Sequence, residues 1–447
     1  MTLAAPTQDT PRSPPSQARR AAVAGFLGAV VDWYDFLLYG IVAALIFNHQ
    51  FFPTADPAVG TLAAFATFGV GFVFRPLGGV VFGHFGDRLG RKRMLLLTVL
   101  LMGTATALIG VLPTYSQIGL AAPALLVLLR AVQGFAVGGE WGGAALMAVE
   151  SAPAGRRAFY SSGVQVGYGV GLLLATGLVS ALGHLLSEAA FASWGWRLPF
   201  LFTLVLVAAA YGVRRRLAES PAFVAEVDQR PDEPAGLPVL KALKHHPAAF
   251  VRIIALRLAE LLTMYLVTTF ALNYSVDHLE LDRALFLDIG MAVGAISCIT
   301  IPLFALAADY IGRRRVYCLG AALGIVCAFP FFFALEARAI GWIVLFAILL
   351  ANITHDMVVA VQQPMFAELF GIDYRYSGAG VGYQVASVIG GGFTPFIAAA
   401  LVEFSGGSWV PVATYMMAGC LLSFVVALWP TTGRRHAMTQ AASTIAD

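Results

Sequence analysis

Two aspartates, Asp32 and Asp35, stand inside an apolar run extending from about residue 21 to 47, in the stretch GAVVDWYDFLLYG. Three positions apart on a helix, they share one face. A carboxylate at the centre of a bilayer costs roughly 3 kcal/mol on insertion scales, so charged groups at that depth face a cavity or a partner. Arg75, Arg130 and Arg257 are buried in similar runs, as are Glu140, Glu260, His355 and Asp356. Low dielectric favours the neutral form of a carboxyl group, and a nearby guanidinium favours the ionised form. A carboxyl poised between the two can take a proton in one state and release it in another. Helix rise puts Asp35 and Arg130 within reach of each other across the first six spans. Asp32, Asp35, Arg130 and Glu140 are therefore candidates for handling protons. A permanently ionised Asp–Arg brace is the plainer reading, and Glu140 could equally be a packing partner of Arg75.

These residues need elements that cross a membrane. The 447-residue chain is 59% hydrophobic and only 12% charged, too little polar surface for a soluble domain of this size. A hydrocarbon slab of ~30 Å needs ~20 apolar residues per helix. Twelve such segments appear, near 21–47, 58–82, 94–112, 122–149, 159–183, 196–214, 250–275, 284–308, 315–335, 340–366, 377–402 and 410–430. If the N-terminus is cytoplasmic and the spans alternate, 22 of the 28 Lys and Arg residues fall on the cytoplasmic side, which puts both termini inside. The lipid bilayer is thus an expected partner. Residues 1–20 and 431–447 read as polar cytoplasmic tails, the first disordered, and no cleaved signal segment is expected. The four cysteines have no metal-ligand spacing and read as small core hydrophobes. No metal, cofactor or nucleic-acid motif is found, and no obligatory protein partner is implied. No catalytic constellation appears either, and the longest polar interval, 215–247, is too short to fold as an enzyme domain.

That interval leaves six spans on each side, and the halves echo each other. GHFGDRLGRKR at 83–93 follows span two, and ALAADYIGRRR at 305–315 follows span eight. YSSGVQVGY at 160–168 opens span five, and YSGAGVGY at 376–383 opens span eleven. A duplication of two six-helix bundles, 21–214 and 248–430, joined by the linker 215–247, is the expected organisation. An ungapped overlay also places Asp32 over Arg257 and Asp35 over Glu260. The second half would then offer an arginine that can meet an anion, or an Arg257–Glu260 pair at i, i+3 on one helix.

The run Gly83-x-x-x-Asp87-Arg88-x-Gly90-Arg91-Lys92 resembles the loop signature of the major facilitator superfamily, and RAVQGFAVGGEWGGA at 130–144 is similar to its arginine-bearing fourth helix. VVDWYDFLLYG, WGWRLPF and ESPAF further resemble the metabolite:proton symporter branch. The resemblance implies an all-α fold of twelve transmembrane helices in two pseudo-symmetric bundles. It also implies alternating access, with protons as the coupling ion and a small organic acid as cargo. In the family's gate, Asp87 would accept hydrogen bonds at the start of helix eleven, and Arg91 would pair with an acid below helix four, a place Glu150 fits. Asp309, Gly312 and Arg313 repeat the gate in the second half, where Ala305 and Tyr310 replace Gly83 and Arg88.

A polyhydroxylated carboxylate needs a cation, hydroxyl partners and a flat apolar surface. Arg75, Arg130 and Arg257 are the cation candidates, with Glu260 beside the last. Trp141 lies about 20° around its helix from Arg130, and Gln133 is near. Gln165, Tyr168, Tyr265, Asn352, Tyr383 and Gln384 could bind hydroxyls, although such residues often serve as helix–helix hydrogen bonds. His355 beside Asp356 could relay protons, but a neutral histidine tied to Asp356 and holding helices together is the simpler reading. Related carriers for other acids (citrate, 2-oxoglutarate) or for osmolytes such as proline and betaine share this framework. A sensor that binds cargo without cycling is the alternative of another class, separable by counterflow in proteoliposomes.

Overall fold

In hydrocarbon every backbone N–H and C=O must find its partner within the protein, so long apolar segments are driven into helices. A computed structural model describes residues 15–53, 57–89, 91–139, 155–215, 238–370 and 375–429. The first half forms α1 (Gly25–Gln50), α2 (Pro57–Leu89), α3 (Arg91–Val111), α4 (Ala121–Gly138), α5 (Arg157–Leu185) and α6 (Arg197–Arg215). The second forms α7 (Pro247–Tyr265, running on to Asp277), α8 (Arg283–Ile311), α9 (Arg313–Glu336), α10 (Ile340–Ala367), α11 (Gly378–Phe404) and α12 (Val410–Leu428). Eleven of the twelve are long and apolar enough to cross a membrane. The exception is α7, whose Arg252, Arg257 and Glu260 interrupt its apolar run.

Two boundaries differ from expectation. The helix leading into α1 already begins at Pro15, inside the stretch expected to be a disordered tail, because proline is preorganised for the first turn of a helix. Within the interval 215–247, a short helix covers Pro238–His245. Gly90, Glu140, Trp141 and Glu150 lie outside the described residues.

The duplication is visible in which helices touch. The pairings α1–α5, α2–α4, α3–α6 and α3–α4 recur six helices later as α7–α11, α8–α10, α9–α12 and α9–α10. Two seams join the halves, α5 against α8 and α2 against α11, and the same rule exchanges one for the other. The first seam is tight at its centre: a Cβ on Gly294 would sit 2.6 Å from the Leu173 nitrogen and 2.7 Å from the Gly169 oxygen. Within the first bundle a Cβ on Gly134 would lie 1.7 Å from the Gly71 oxygen, so α2 and α4 touch backbone to backbone. That contact draws Arg75 of α2 and Arg130 of α4 toward the same ring, Phe36 of α1.

Regular winding is broken where the interior is polar or crowded. π-Helical turns occur at Ala43–Phe47 in α1 and Leu266–Phe270 in α7, matching places in the two halves. Others occupy Leu349–Thr354 in α10 and Val388–Gly392 in α11. Such turns often accompany functional sites, since they free backbone groups and re-aim side chains.

Candidate functional site

Asp35 is fully buried and held by hydroxyl groups rather than by a cation. Thr106 of α3 donates to its Oδ2 at 2.7 Å, and Thr203 of α6 donates to its Oδ1 at 2.9 Å. Asp35 and Arg130 lie in the same bundle, as expected, but form no direct brace, because Gln133 and Thr106 stand between. Arg130 Nη1 donates to Gln133 Oε1 at 3.1 Å, and Gln133 Nε2 donates to the Thr106 hydroxyl. The Thr106 hydroxyl also lies 2.9 Å from the Met102 carbonyl. A hydroxyl can donate or accept, whereas a guanidinium only donates. The cage therefore accommodates Asp35 in either protonation state: Thr106 donates to the carboxylate, or turns to Met102 and accepts from the carboxylic acid.

One turn before Asp35, Asp32 lines a cavity of about 40 Å³ with Trp33, Arg75, Gln165, Tyr383 and Gln384. The space suits a water or two and is far below that of a small-molecule pocket. Among the described residues, the space beside Asp32 and Arg75 is therefore too small for a cargo molecule. Arg75 is 7% exposed and stacks over Phe36 at 3.8 Å and Phe72 at 4.1 Å. Arg130 stacks over the same Phe36 at 4.1 Å and over Tyr39 at 4.1 Å. Arg75 Nε, and Nε and Nη2 of Arg130, have no hydrogen-bond partner among the described residues. Two buried guanidinium groups with N–H groups to spare, sharing one aromatic ring, have the chemistry to meet an anion.

The third cation is different. Arg257 forks onto Glu260, with Nε to Oε2 at 3.1 Å and Nη2 to Oε1 at 2.9 Å, donates to the Tyr383 carbonyl at 2.8 Å and bonds the Ser387 hydroxyl. Its plane lies 3.4 Å over the Tyr383 ring. Of the two readings left open, the paired one describes this geometry, and Arg257 has little left to offer a cargo.

The remaining candidates divide. Tyr265 packs between Phe68 and Phe72 at ring distances of 5.4 and 5.9 Å, and Tyr168 lies against Trp33 at 5.3 Å. Both hydroxyls lack partners among the described residues, as does Gln384 Oε1. Gln165 reaches the Val359 carbonyl across the halves at 3.4 Å. Asn352 is committed elsewhere, donating to Val293 O and Ser297 Oγ of α8, both at 2.9 Å. Phe36, Phe68, Phe72, Thr106 and Thr203 were not singled out from sequence. In an apolar span, phenylalanine is the commonplace core residue, and threonine ordinarily bonds its own helix.

Of the two copies of the loop signature, the second has its side chains described. Asp309 at the end of α8 accepts from the backbone N–H of Ala158 at 3.1 Å and Phe159 at 3.0 Å, the first turn of α5. A carboxylate there meets unsatisfied N–H groups and the positive end of the helix dipole. Gly312 turns the chain with φ +100°, and Arg313 pairs with Glu368 at 2.6 Å. Gly83, Asp87 and Arg88 lie on the last turns of α2 and Arg91 opens α3, with only their backbone described. At the opposite end, a 280 Å³ cavity opens among α1, α2, α7 and α11, lined by Asn48, His49, Asn273, Asp277 and Glu403.

Three comparisons bear on this arrangement. The family described as sugar (and other) transporter matches residues 21–248. The shikimate transporter of Escherichia coli (strain K12) is 67% identical over 413 residues, 92% of this chain and 94% of that protein. The inner membrane metabolite transport protein YhjE of the same organism is 37% identical over 431 residues, 95% of this chain and 96% of that protein. A crystal structure of a D-xylose-proton symporter superposes with a TM-score of 0.69 at 17% identity, over 93% of this chain and 98% of that one, a likeness of fold.

Proposed function

The chain belongs to the sugar (and other) transporter family of the major facilitator superfamily, and on that premise we propose that it imports shikimate with protons. A closely related hydroxylated carboxylate such as dehydroshikimate fits the same chemistry. The observation that carries this reading is the pair of buried guanidinium groups, Arg75 and Arg130, with N–H groups uncommitted around Phe36. Once the halves part, the cargo carboxylate meets these groups. Its ring lies on Phe36, Phe72 and Tyr265, and its hydroxyls bond Tyr168, Tyr265, Gln165 and Gln384. Asp35 takes the coupling proton, and the chain through Thr106 and Gln133 lets Arg130 sense that charge change when cargo is bound.

The membrane is the bacterial inner membrane, with both termini cytoplasmic. Cargo and proton enter from outside, the halves rock about the α5–α8 and α2–α11 seams, and both leave to the cytoplasm. Asp309 on α5 and Asp87 on α11 latch the cytoplasmic ends during loading, assisted by Arg91 and Glu150. Labelled shikimate uptake into proteoliposomes, with and without an imposed proton gradient, tests the proposal. Accumulation only with the gradient supports it; accumulation with every ion gradient collapsed sinks it.

One observation favours a second cargo class. Asp32 and Arg75 line the same cavity and together match the two charges of a zwitterionic osmolyte. Competition of proline or betaine against labelled shikimate decides between them.

A further inference from the structure

The second half holds a buried carboxyl group that the function above does not use. Asp356 of α10 is fully buried, and its Oδ1 accepts from Ser297 Oγ at 3.1 Å and faces His355 Nδ1 at 2.8 Å. Its Oδ2 accepts from the Thr300 hydroxyl. Among the described residues no lysine or arginine pairs with it, and its ion-pair partner is His355. Because Asp356 as a carboxylate only accepts, Nδ1 of His355 must carry the hydrogen in their bond. His355 Nε2 is then the basic nitrogen. It is buried and has no hydrogen-bond partner among the described residues.

Among the described residues the surroundings contain titratable groups, but no fixed positive charge pairs with Asp356. From α5 comes Tyr168, whose ring centroid is 4.5 Å from that of His355 and whose hydroxyl is unpartnered. From α8 come Ser297, Thr300 and Cys298, and beyond Tyr168 stand Tyr265 and the Glu260 already bound to Arg257, both of α7. Helix α9 meets α10 through Gly320 and Gly324 and brings no charge to that contact. With His355 neutral and Asp356 ionised, the cluster is a lone buried anion, which is costly. One proton added at Nε2 turns it into an imidazolium–carboxylate pair of zero net charge.

We propose that the His355–Asp356 pair is a second exchangeable proton site, so that the carrier moves two protons with each cargo molecule. This rests on the reading of the chain as a proton-coupled carrier. The N–H bond forms at His355 Nε2 with a proton delivered by water from the outside, and breaks when water reaches the cluster from the cytoplasmic side. The cluster lies close to the central cavity: the carbonyl of Val359, one turn of α10 further along, accepts from Gln165, which lines that cavity. Two protons with one monovalent carboxylate carry a net positive charge inward, so uptake is electrogenic.

Reversal potentials of shikimate flux in proteoliposomes, at set pH and potassium–valinomycin potentials, read the ratio directly. The expected ratio is two protons per cargo for the unaltered protein and one for His355→Asn. Asparagine retains a donor where Nδ1 stands and lacks the basic nitrogen. Asp356→Asn is the second variant, also expected at one, and counterflow without a gradient shows which variants are folded. A ratio of one in the unaltered protein, or the same ratio in the protein and its folded variants, overturns the inference. Absence of proton-dependent flux in the unaltered protein would overturn the carrier reading, and this site with it.

Discussion

The overlay of the two halves sets Asp35 of α1 against Glu260 of α7, and both are fully buried, yet their partners differ in kind. Glu260 is gripped by a guanidinium three residues before it on the same helix. Asp35 has Asp32 at that position and finds its partners in the hydroxyls of Thr106 and Thr203 on two other helices. A guanidinium is always charged and only donates, so it holds a carboxylate in one fixed, forked geometry. Hydroxyls reorient and leave the carboxyl free to change. The duplication supplies two buried acids with different neighbours, and the proposed function assigns one to proton coupling and the other to structure.

Exchanging the roles of the two sites gives the largest effect expected. Asp35→Asn should remove the proton that Asp35 carries and lower gradient-driven accumulation to what the His355–Asp356 pair alone sustains, while counterflow persists, measured side by side in proteoliposomes. Glu260→Gln should leave accumulation coupled but lower stability by about 3–5 kcal/mol, since it strands Arg257 as a buried charge. Thermal unfolding in detergent reads that loss. Counterflow lost in Asp35→Asn, or a coupling defect in Glu260→Gln, would erase the distinction.

The uncommitted and committed arginines sharpen it further. Arg75→Ala should weaken shikimate binding by about tenfold or more, the scale of one charge-assisted hydrogen bond, with Arg75→Lys between. Arg257→Lys should cost stability before it costs affinity. Equilibrium binding of labelled shikimate to purified protein separates these outcomes.

Smaller effects are expected at the supporting groups. Thr106→Val removes one hydroxyl from Asp35, worth about 1 kcal/mol, and should shift the pH profile of uptake with little change in maximal rate. Asp309→Asn removes the anion at the start of α5, worth about 0.3–1 kcal/mol. It should tilt the population toward cytoplasmic opening, read by the labelling of cysteines introduced on each side.

Much of this was legible in the sequence for a physical reason: membrane spans must be apolar, so the exceptions stand out. The twelve segments, the buried aspartates and arginines, and the i, i+3 relation of Arg257 to Glu260 all follow from spacing along the chain. Partners of low charge do not. Thr106, Thr203 and the rings of Phe36 and Phe72 have ordinary span composition, and only the packing of α2, α3, α4 and α6 around α1 brings them to Asp35, Arg75 and Arg130. The separation of Asp35 from Arg130 is of the same kind. Rise per residue gives their depth, but not that Gln133 and Thr106 fill the space between.

Infrared difference spectra of the purified protein, recorded with and without shikimate, test most directly whether Asp35 changes its protonation. The expected result is a carboxyl stretching band that is lost in Asp35→Asn and kept in Glu260→Gln. A difference spectrum that Asp35→Asn leaves unaltered, or that Glu260→Gln alone removes, would contradict the division of labour between the two halves.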